Sequence, residues 1–226
     1  TALYTSTFTP PSIPLTNVTN TKLLCCQDNS SVTTAAVAPG TITTNGDPTA
    51  SSDQYPFPYV SLTDYSVAFG GSADALNIPD DDAWHIETNY TAECWFYAED
   101  VTGSWSGIMG QWPESGGGAT NSWVLEYVGT DLRWYYVIDG GGLTYKSLGT
   151  ISTDDWHHFA LSKSGSTTKI YIDGVQEESW DMGTLQNGNG RFVIGGDVAA
   201  SSGSGWFDGK ISNIRITKGQ ALYTSA

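Results

Sequence analysis

Aromatic side chains beside glycine-rich segments are the part of this sequence best suited to ligand chemistry. Sugar rings present apolar C–H faces that stack on Trp and Tyr, while Asn, Asp and Gln side chains hydrogen-bond the hydroxyl groups. The candidates for such a carbohydrate-binding rim are Trp105, Trp112, Tyr145, Trp180 and Trp206. Packing over the rim of a sheet is the alternative role of each. Further tryptophans alternate within apolar segments and are predicted to lie in the core: Trp95, Trp123, Trp134 and Trp156.

The titratable residues do not indicate catalysis. The nearest acidic cluster contains Glu177, Glu178 and Asp181, but adjacent residues of a strand point to opposite faces, so the two glutamates cannot share a site. For the same reason His157 and His158 cannot jointly hold a metal ion, and we predict hydrogen-bonded packing roles for both. No Gly-x-Ser-x-Gly nucleophile motif stands out. The sequence therefore predicts a protein that is not an enzyme.

The elements that must position these side chains are clearest between residues 156 and 174. Residues 156–163 and 169–174 alternate large apolar with polar or small side chains, which is the pattern of strands with one face toward a core. Gly165 marks the reversal between them, and the Asp173 and Gly174 pair supplies a second tight turn. We therefore predict consecutive antiparallel strands joined by tight turns.

The same alternation continues along the chain. Strands are also predicted at residues 21–26, 41–44, 107–112, 123–128, 132–138, 143–148, 176–180 and 192–195. No segment has a helical period, so the pattern predicts an all-β fold, an antiparallel β-sandwich of about a dozen strands with Greek-key connections. We assign residues 1–20 to an extended Pro-rich N-terminal arm or linker, residues 21–220 to the sandwich domain, and residues 221–226 to the start of a following linker.

Trp-His-His at residues 156–158 precedes an apolar strand, and Tyr-Ile-Asp-Gly at residues 171–174 closes the next one. These motifs resemble those of laminin-G-like domains, a branch of the concanavalin A-like jelly rolls. Residues 66–71, 77–79, 91–96 and 206–216 resemble further strands of that family, in the same order. The resemblance implies a jelly roll over most of residues 57–218. Laminarinase-type hydrolases of this broad fold carry Glu-x-Asp-x-x-Glu, which nothing in this chain matches, so a glycoside hydrolase is disfavoured.

The resemblance also implies calcium. Laminin-G-like domains often hold one ion with Asp carboxylates and backbone carbonyls in loops at the sheet rim, and oxygen-rich loops suit a hard cation. The acidic residues in predicted loops are Asp74, Asp80, Asp81, Asp82, Asp197 and Asp208. Asn213 stands where many relatives carry an acidic residue, and solvation is the alternative role of the acidic turn residues. Calcium is the one cofactor that we predict.

The two ends of the chain share a pentapeptide. Ala-Leu-Tyr-Thr-Ser occurs at residues 2–6 and again at residues 221–225. One interpretation is a unit of a tandem array, and the other is a filament subunit whose arm docks on a neighbour. In either case Pro10, Pro11 and Pro14 favour an extended, semi-rigid arm. We expect neighbouring copies of the module to associate through this arm.

Charge and composition limit the partners and the redox chemistry. Lys plus Arg number 9 against 24 Asp plus Glu, a net charge of −15, which excludes nucleic acid because phosphate binding requires clustered cations. No run of about 18 apolar residues exists that could insert in a membrane. Cys25 and Cys26 are expected on opposite faces of a strand, so we predict free buried thiols, with a bond from either to Cys94 as the alternative.

The sequence predicts a non-enzymatic structural repeat module of an extracellular or viral fibre or filament, which mediates assembly and glycan adhesion. A lectin-like carbohydrate-binding domain with a rim site is the alternative. Residues 214–225 and the Pro-rich arm resemble laminin-G-like repeats in tail and fibre proteins of marine bacteriophages. That resemblance implies an extracellular or virion surface, with host or cell-surface glycans as partners.

Overall fold

A computed structural model, which describes residues 7–52, 55–57, 65–102, 105–112, 121–196 and 205–219, shows two antiparallel β-sheets packed face to face. The strands are β1 (Thr21–Cys25), β2 (Ala35–Val37), β3 (Thr43–Asn45), β4 (Thr49–Ser51), β5 (Ser66–Gly70), β6 (Ala75–Ile78), β7 (Asn89–Asp100), β8 (Ser106–Gln111), β9 (Trp123–Val128), β10 (Asp131–Val137), β11 (Leu143–Thr150), β12 (Trp156–Ser164), β13 (Thr167–Ile172), β14 (Val175–Asp181), β15 (Phe192–Ile194) and β16 (Asp208–Lys218). A 3₁₀ turn spans Asp82–Trp84. The predicted antiparallel sandwich of jelly-roll type is confirmed.

The strand order places distant segments of the chain side by side. Sheet A has nine strands in the order β14-β13-β12-β7-β16-β1-β2, with β5 also pairing with β16 and β4 with β5. Sheet B has seven strands in the order β11-β10-β9-β8-β15-β6-β3. The short strands β2 and β4 were not predicted, because three residues carry too little alternation and these segments extend by pairing with β1 and β5. Within the described ranges, no helix is long and apolar enough to span a membrane.

Stacked aromatic rings from both sheets fill the core. Trp123 and Trp134 face each other on β9 and β10 with ring centroids 4.7 Å apart, and both are fully buried. Trp84 stacks on Phe192 at 4.4 Å. Because β9 and β10 alternate, every second side chain of each strand enters this core and the others face outward. The core prediction for Trp123 and Trp134 is confirmed.

The other two tryptophans lie outside this core: Trp95 is buried at 8% exposure, but on the opposite side of its sheet, and the prediction is wrong for Trp156. Phe96 points into the core from β7, so its neighbour in the chain, Trp95, lies on the outer face of sheet A, where its ring centroid is 5.7 Å from that of Phe57. Trp156 lies opposite Tyr97 in the β12–β7 register, with ring centroids 5.7 Å apart, and is only partly buried. Large aromatic side chains occur on both faces of sheet A because its outer face is itself covered.

The cysteines depart from simple strand alternation. Strand β1 ends at Cys25, and Cys26 has a φ of 61°, which turns both thiols into the same core and brings their Sγ atoms to 3.7 Å. The prediction that they face opposite sides is therefore wrong, while the prediction of free buried thiols is confirmed for Cys25, Cys26 and Cys94. The hydrogen bond from Cys26 and burial raise the pKa of Cys25, and burial raises that of Cys94, so both thiols are neutral packing groups.

In the described part of the N-terminal arm, residues 7–16 form an extended strap across the outer face of sheet A. At one end the Phe8 N–H donates to the Gly174 carbonyl at 2.9 Å. At the other end the Leu15 N–H donates to Asn213 Oδ1 at 2.8 Å. From the turn after β13 to β16 the strap crosses three strand spacings, about 14 Å at about 4.8 Å each, which the segment from Phe8 to Leu15 spans at the polyproline II rise of about 3.1 Å per residue. Its role as a linker between copies stays a prediction.

Candidate functional site

The most ligand-like surface in the described part of the chain is a set of aromatic and charged side chains on the outer face of sheet B. We call it the aromatic face and define it as Trp105, Asp131, Arg133, Tyr135 and Tyr145. The ring centroids of Trp105 and Tyr135 are 6.0 Å apart, and those of Tyr135 and Tyr145 are 5.0 Å apart. Trp105 is 38% exposed and Tyr145 is 49% exposed, whereas Tyr135 between them is 7% exposed. Two accessible rings thus flank a buried one.

Strand register brings these residues together. Tyr135 on β10 lies directly opposite Tyr145 on β11 and opposite Val124 on β9. Trp105 comes immediately before β8, so its ring reaches across β9 to approach Tyr135. Val124 and Tyr135 also belong to a buried apolar cluster with Trp112 and Val137, which lies outside the main core and includes the central ring of the aromatic face. The platform is therefore built on regular strands.

A hydrogen-bonded network lies beside the rings. Arg133 Nε donates to Asp131 Oδ2 at 2.6 Å, Arg133 Nη1 donates to the Tyr135 hydroxyl at 2.9 Å, and Ser147 Oγ donates to Asp131 Oδ1 at 2.7 Å. The guanidinium carbon of Arg133 lies 4.9 Å from the centroid of the Tyr145 ring. Burial opposes ionisation of Asp131, but the hydrogen bonds from Arg133 and Ser147 outweigh it and lower its pKa. Polar donors and acceptors are thus held at the edge of two aromatic rings.

The structure brings together only part of the predicted carbohydrate-binding set, which was Trp105, Trp112, Tyr145, Trp180 and Trp206. Trp105 and Tyr145 lie on the aromatic face, and Trp112 is buried at 7% exposure in the apolar cluster that includes Tyr135. Trp180 on β14 packs against Tyr136, with ring centroids 5.9 Å apart, and Lys146 lies over its ring. Trp206 lies against Gly196. A role for Trp180 and Trp206 in binding stays a prediction.

Sequence reasoning missed Asp131, Arg133 and Tyr135. The signal that could have found them is the alternation of β10, in which Leu132 and Trp134 enter the core and the residues between them face outward. The predicted carbohydrate-binding residues were aromatic residues beside glycine-rich segments. Tyr135 instead follows a tryptophan within an apolar strand, so it was not among them. Its position opposite Tyr145 depends on the β10–β11 register.

The acidic residues predicted to bind calcium are mostly engaged within the protein. Asp74 accepts the N–H groups of Asp47 and Gly70, and Asp80 accepts Gln111 Nε2 at 2.8 Å. Asp81 accepts the Ala83 N–H at the start of the 3₁₀ turn, and Asp82 is exposed in that turn. These hydrogen bonds stabilise loops and leave few free oxygens for a cation. Asp197 lies outside the described residues.

Asp74 and Asp208 line one cavity of about 260 Å³, together with Asp47, Glu99 and Lys210. Lys210 pairs with Glu99, and burial together with the nearby Glu99 carboxylate raises the pKa of Asp208. Across the described ranges, no group of three or more His, Cys, Asp or Glu side chains could hold a metal ion. The described side chains therefore do not form a calcium site by themselves, and calcium binding stays a prediction.

Comparison with known proteins shows the family. The laminin-G model described as the Concanavalin A-like lectin/glucanases superfamily matches residues 69–222. The chain belongs to this superfamily. The predicted resemblance to laminin-G-like jelly rolls is thereby confirmed. No curated protein matches the chain in sequence.

Solved structures with the same superfamily fold include several binding domains. The binding domain of Paraclostridial Mosquitocidal Protein 1 has a TM-score of 0.68 and 10% identity over 90% of this chain and 49% of that chain. The receptor binding domain of botulinum neurotoxin C/D mosaic serotype has a TM-score of 0.62 and 12% identity over 91% of this chain and 49% of that chain. The chain thus spans about half the length of these toxin domains. Such low identities show a common fold alone.

A further similar structure is domain 4 of AbnA, a GH43 extracellular arabinanase from Geobacillus stearothermophilus, in complex with arabinotriose. The TM-score is 0.59 and the identity 18%, over 90% of this chain and 95% of that domain. Unlike the toxin domains, this relative corresponds to the chain over nearly its whole length.

The two motifs that carry the superfamily resemblance meet at one end of sheet A. Asp173 Oδ2 pairs with His157 Nδ1 at 2.7 Å, and Asp173 Oδ1 accepts the His158 N–H at 2.8 Å. Ser152 Oγ lies 2.9 Å from His157 Nε2. His157 contacts Phe96 of the core whereas His158 contacts the strap residue Phe8, so the histidines project to opposite faces, as predicted.

Serine, imidazole and carboxylate stand here in the order of a nucleophile, its base and an orienting acid. Acyl transfer also requires N–H donors for the developing oxyanion. The Asp154 N–H, two residues after Ser152, already donates to the Ala98 carbonyl at 2.9 Å. The chain of contacts ties the start of β12 to the β13–β14 turn and to the loop that precedes β12.

The two contacts of Asp173, with His157 and with the His158 N–H, form a clamp, and we expect its contribution to the free energy of unfolding to be lost at acid pH. Burial favours a raised pKa for Asp173, but hydrogen bonds from His157 and from the His158 N–H outweigh it and lower the pKa. A lowered folded-state pKa contributes stability that is complete above the unfolded value of about 3.9 and is lost as pH falls through the folded value. Asp173→Asn should therefore cost about 1 kcal/mol at pH 7 and progressively less below pH of about 4.

Urea denaturation of both proteins between pH 7 and pH 2 checks this result. The free energies of unfolding of wild type and Asp173→Asn should converge as the pH falls. A constant difference over the whole range would contradict the proposed charge-assisted clamp.

Proposed function

We propose that this domain is a non-catalytic binding module that recognises carbohydrate through the aromatic face. The observation that carries the proposal is the pair of exposed rings, Trp105 and Tyr145, on either side of Tyr135. Such rings offer apolar faces to the C–H surface of a sugar, and Asp131 and Arg133 offer hydrogen bonds to its hydroxyl groups. Stacking and hydrogen bonding are thereby available at one place.

The comparisons support binding over catalysis. The toxin domains are named as binding domains, and the AbnA domain was solved with arabinotriose. The motif histidine His157 pairs with Asp173 in a contact that ties two strands together, and the acidic cluster of Glu177, Glu178 and Asp181 lies along β14 at the edge of sheet A. AbnA is described as extracellular, which supports an extracellular location for this module as well.

Assembly into a fibre or filament is the second candidate function. The repeated Ala-Leu-Tyr-Thr-Ser pentapeptide favours it, because identical ends are typical of units in a tandem array. Both copies of the pentapeptide lie outside the described residues. Electron microscopy of the native protein tests this function, since regular contacts between modules support a filament and isolated particles contradict it.

We expect Trp105→Ala and Tyr145→Ala each to weaken carbohydrate binding about tenfold or more, because each removes a stacking surface. Tyr55→Ala is the matched control. Tyr55 is 38% exposed, as Trp105 is, but lies two residues from Phe57 on the sheet A side. A glycan array identifies the ligand, and isothermal titration calorimetry then compares the three variants.

The control variant should bind as wild type does. Equal losses in all three variants would place binding elsewhere on the molecule. An array without signal above background would overturn the carbohydrate proposal itself.

A further inference from the structure

The two exposed rings of the aromatic face are set apart across the strands. Trp105 approaches from the β8 side and Tyr145 belongs to β11, which is three strand spacings away in sheet B. Tyr135, the ring between them, is buried at 7% exposure, and its centroid lies 6.0 Å from that of Trp105 and 5.0 Å from that of Tyr145. The Trp105 and Tyr145 centroids are therefore at most 11.0 Å apart. A sugar ring that stacks on one of the exposed rings leaves the other for a neighbouring sugar unit.

The polar groups of the aromatic face carry no excess positive charge. Arg133 is the cation of the face, and its Nε is already paired with Asp131 at 2.6 Å. Glu126 lies opposite Arg133 in the β9–β10 register and, as the neighbour of the core residue Leu125, shares the outward orientation of Val124. Glu126 is buried at 2% exposure, so the carboxylate that a ligand would meet beside Arg133 is Asp131. An anionic sugar would be repelled by Asp131, and the Arg133 guanidinium that could attract it is already paired with that carboxylate.

The hydrogen-bonding groups that remain suit neutral hydroxyls. Asp131 holds Arg133 and Ser147 in place, and Arg133 also donates to the Tyr135 hydroxyl at 2.9 Å. A fixed arrangement of donors and acceptors with balanced charge recognises groups that both donate and accept hydrogen bonds. The chain as a whole has a net charge of −15, which adds a repulsion against any acidic glycan.

We infer that the ligand is a neutral oligosaccharide, lying across strands β8 to β11 so that separate sugar units stack on Trp105 and Tyr145. This inference rests on the proposed carbohydrate function and adds the length and the charge class of the ligand. The site reads more than one unit of a glycan chain, because its two exposed rings lie on either side of the buried Tyr135.

A length series on the intact protein tests the inference. Arabino-, xylo- and cello-oligosaccharides of one to five units are titrated beside oligogalacturonides of the same lengths, after a glycan array that holds both neutral and acidic members. We expect affinity for the recognised neutral series to rise about tenfold or more between one and three units and then level off. Acidic oligosaccharides of equal length should bind at least about tenfold more weakly.

Variants separate this inference from the parent proposal. Trp105→Ala and Tyr145→Ala should each flatten the dependence on chain length, whereas Tyr55→Ala should leave it unchanged. Binding that is equally strong for one and three units, or stronger for acidic glycans, overturns the inference while the carbohydrate function stands. Absence of binding to every sugar on the array overturns the carbohydrate function, and the inference with it.

Discussion

Replacing Arg215 by alanine is expected to lower the free energy of unfolding by about 3–5 kcal/mol, because it removes the guanidinium that pairs with a buried carboxylate. Arg215 Nη2 and Nε both donate to Glu93 Oε1, at 2.7 and 3.0 Å. Glu93 is fully buried and Arg215 is 5% exposed. Arg215 Nη1 also donates to the Thr16 carbonyl, so the variant removes one attachment of the strap as well. Urea denaturation at pH 7 measures the change.

Arg133→Ala is the matched control for this result. Arg133 pairs with Asp131 at 2.6 Å, but both side chains are about one quarter exposed, so the loss should stay below about 1 kcal/mol. A second variant, Glu93→Leu with Arg215→Met, removes both charges and should recover much of the stability lost in Arg215→Ala. Similar losses for Arg215→Ala and Arg133→Ala would show that the pair on sheet A is not buried as described.

The second large effect is expected at Gly174, where the strap meets the sheet. Gly174 has a φ of 78°, and a Cβ added there would collide with the carbonyl oxygen of Phe8. Gly174→Ala should therefore displace the strap and expose the face that Phe8 covers, where its ring packs against Tyr171 at 5.3 Å and His158 at 6.0 Å. Limited chymotrypsin digestion followed by mass spectrometry should show rapid cleavage after Phe8 and Leu15 in the variant and slow cleavage in wild type.

Gly165→Ala distinguishes strap displacement from general backbone strain. Gly165 also has a left-handed φ, 61°, but a Cβ there meets no atom within 4 Å. Both variants should lose about 1–2 kcal/mol from the unfavourable φ, and Gly174→Ala should lose more. If both variants resist chymotrypsin as wild type does, then Gly174 does not hold the strap.

These two results concern the same surface. Glu93, Arg215 and His158 lie on the outer side of sheet A, which is open to solvent in the simplest sandwich, and here the strap covers them. The turn that closes the superfamily motif, Asp173 and Gly174, contacts both the histidines and the strap. The Asp173 carboxylate pairs with His157 and accepts the His158 N–H, and the Gly174 carbonyl accepts the Phe8 N–H. The motif that identifies the fold is therefore also where the arm attaches.

Much of the fold could be predicted from local pattern. The strand predicted at residues 123–128 is β9, and the predicted run of strands at residues 156–174 corresponds to β12 and β13. Alternation and turn glycines specify such elements within a few residues of chain. The candidate site was predicted less completely, since Trp105 and Tyr145 were named while Arg133 and Tyr135 were not.

By itself, then, the sequence determined the all-β class, the acidic charge and the extended form of the described part of the arm, because each depends on neighbouring residues or on composition. Tertiary structure alone decided that Trp105 and Tyr145, far apart in the chain, share one face of sheet B. It also decided that Glu93 and Arg215 are buried. The physical reason is that alternation assigns a side chain to one side of its strand, whereas strand order and the covering strap determine what that side meets.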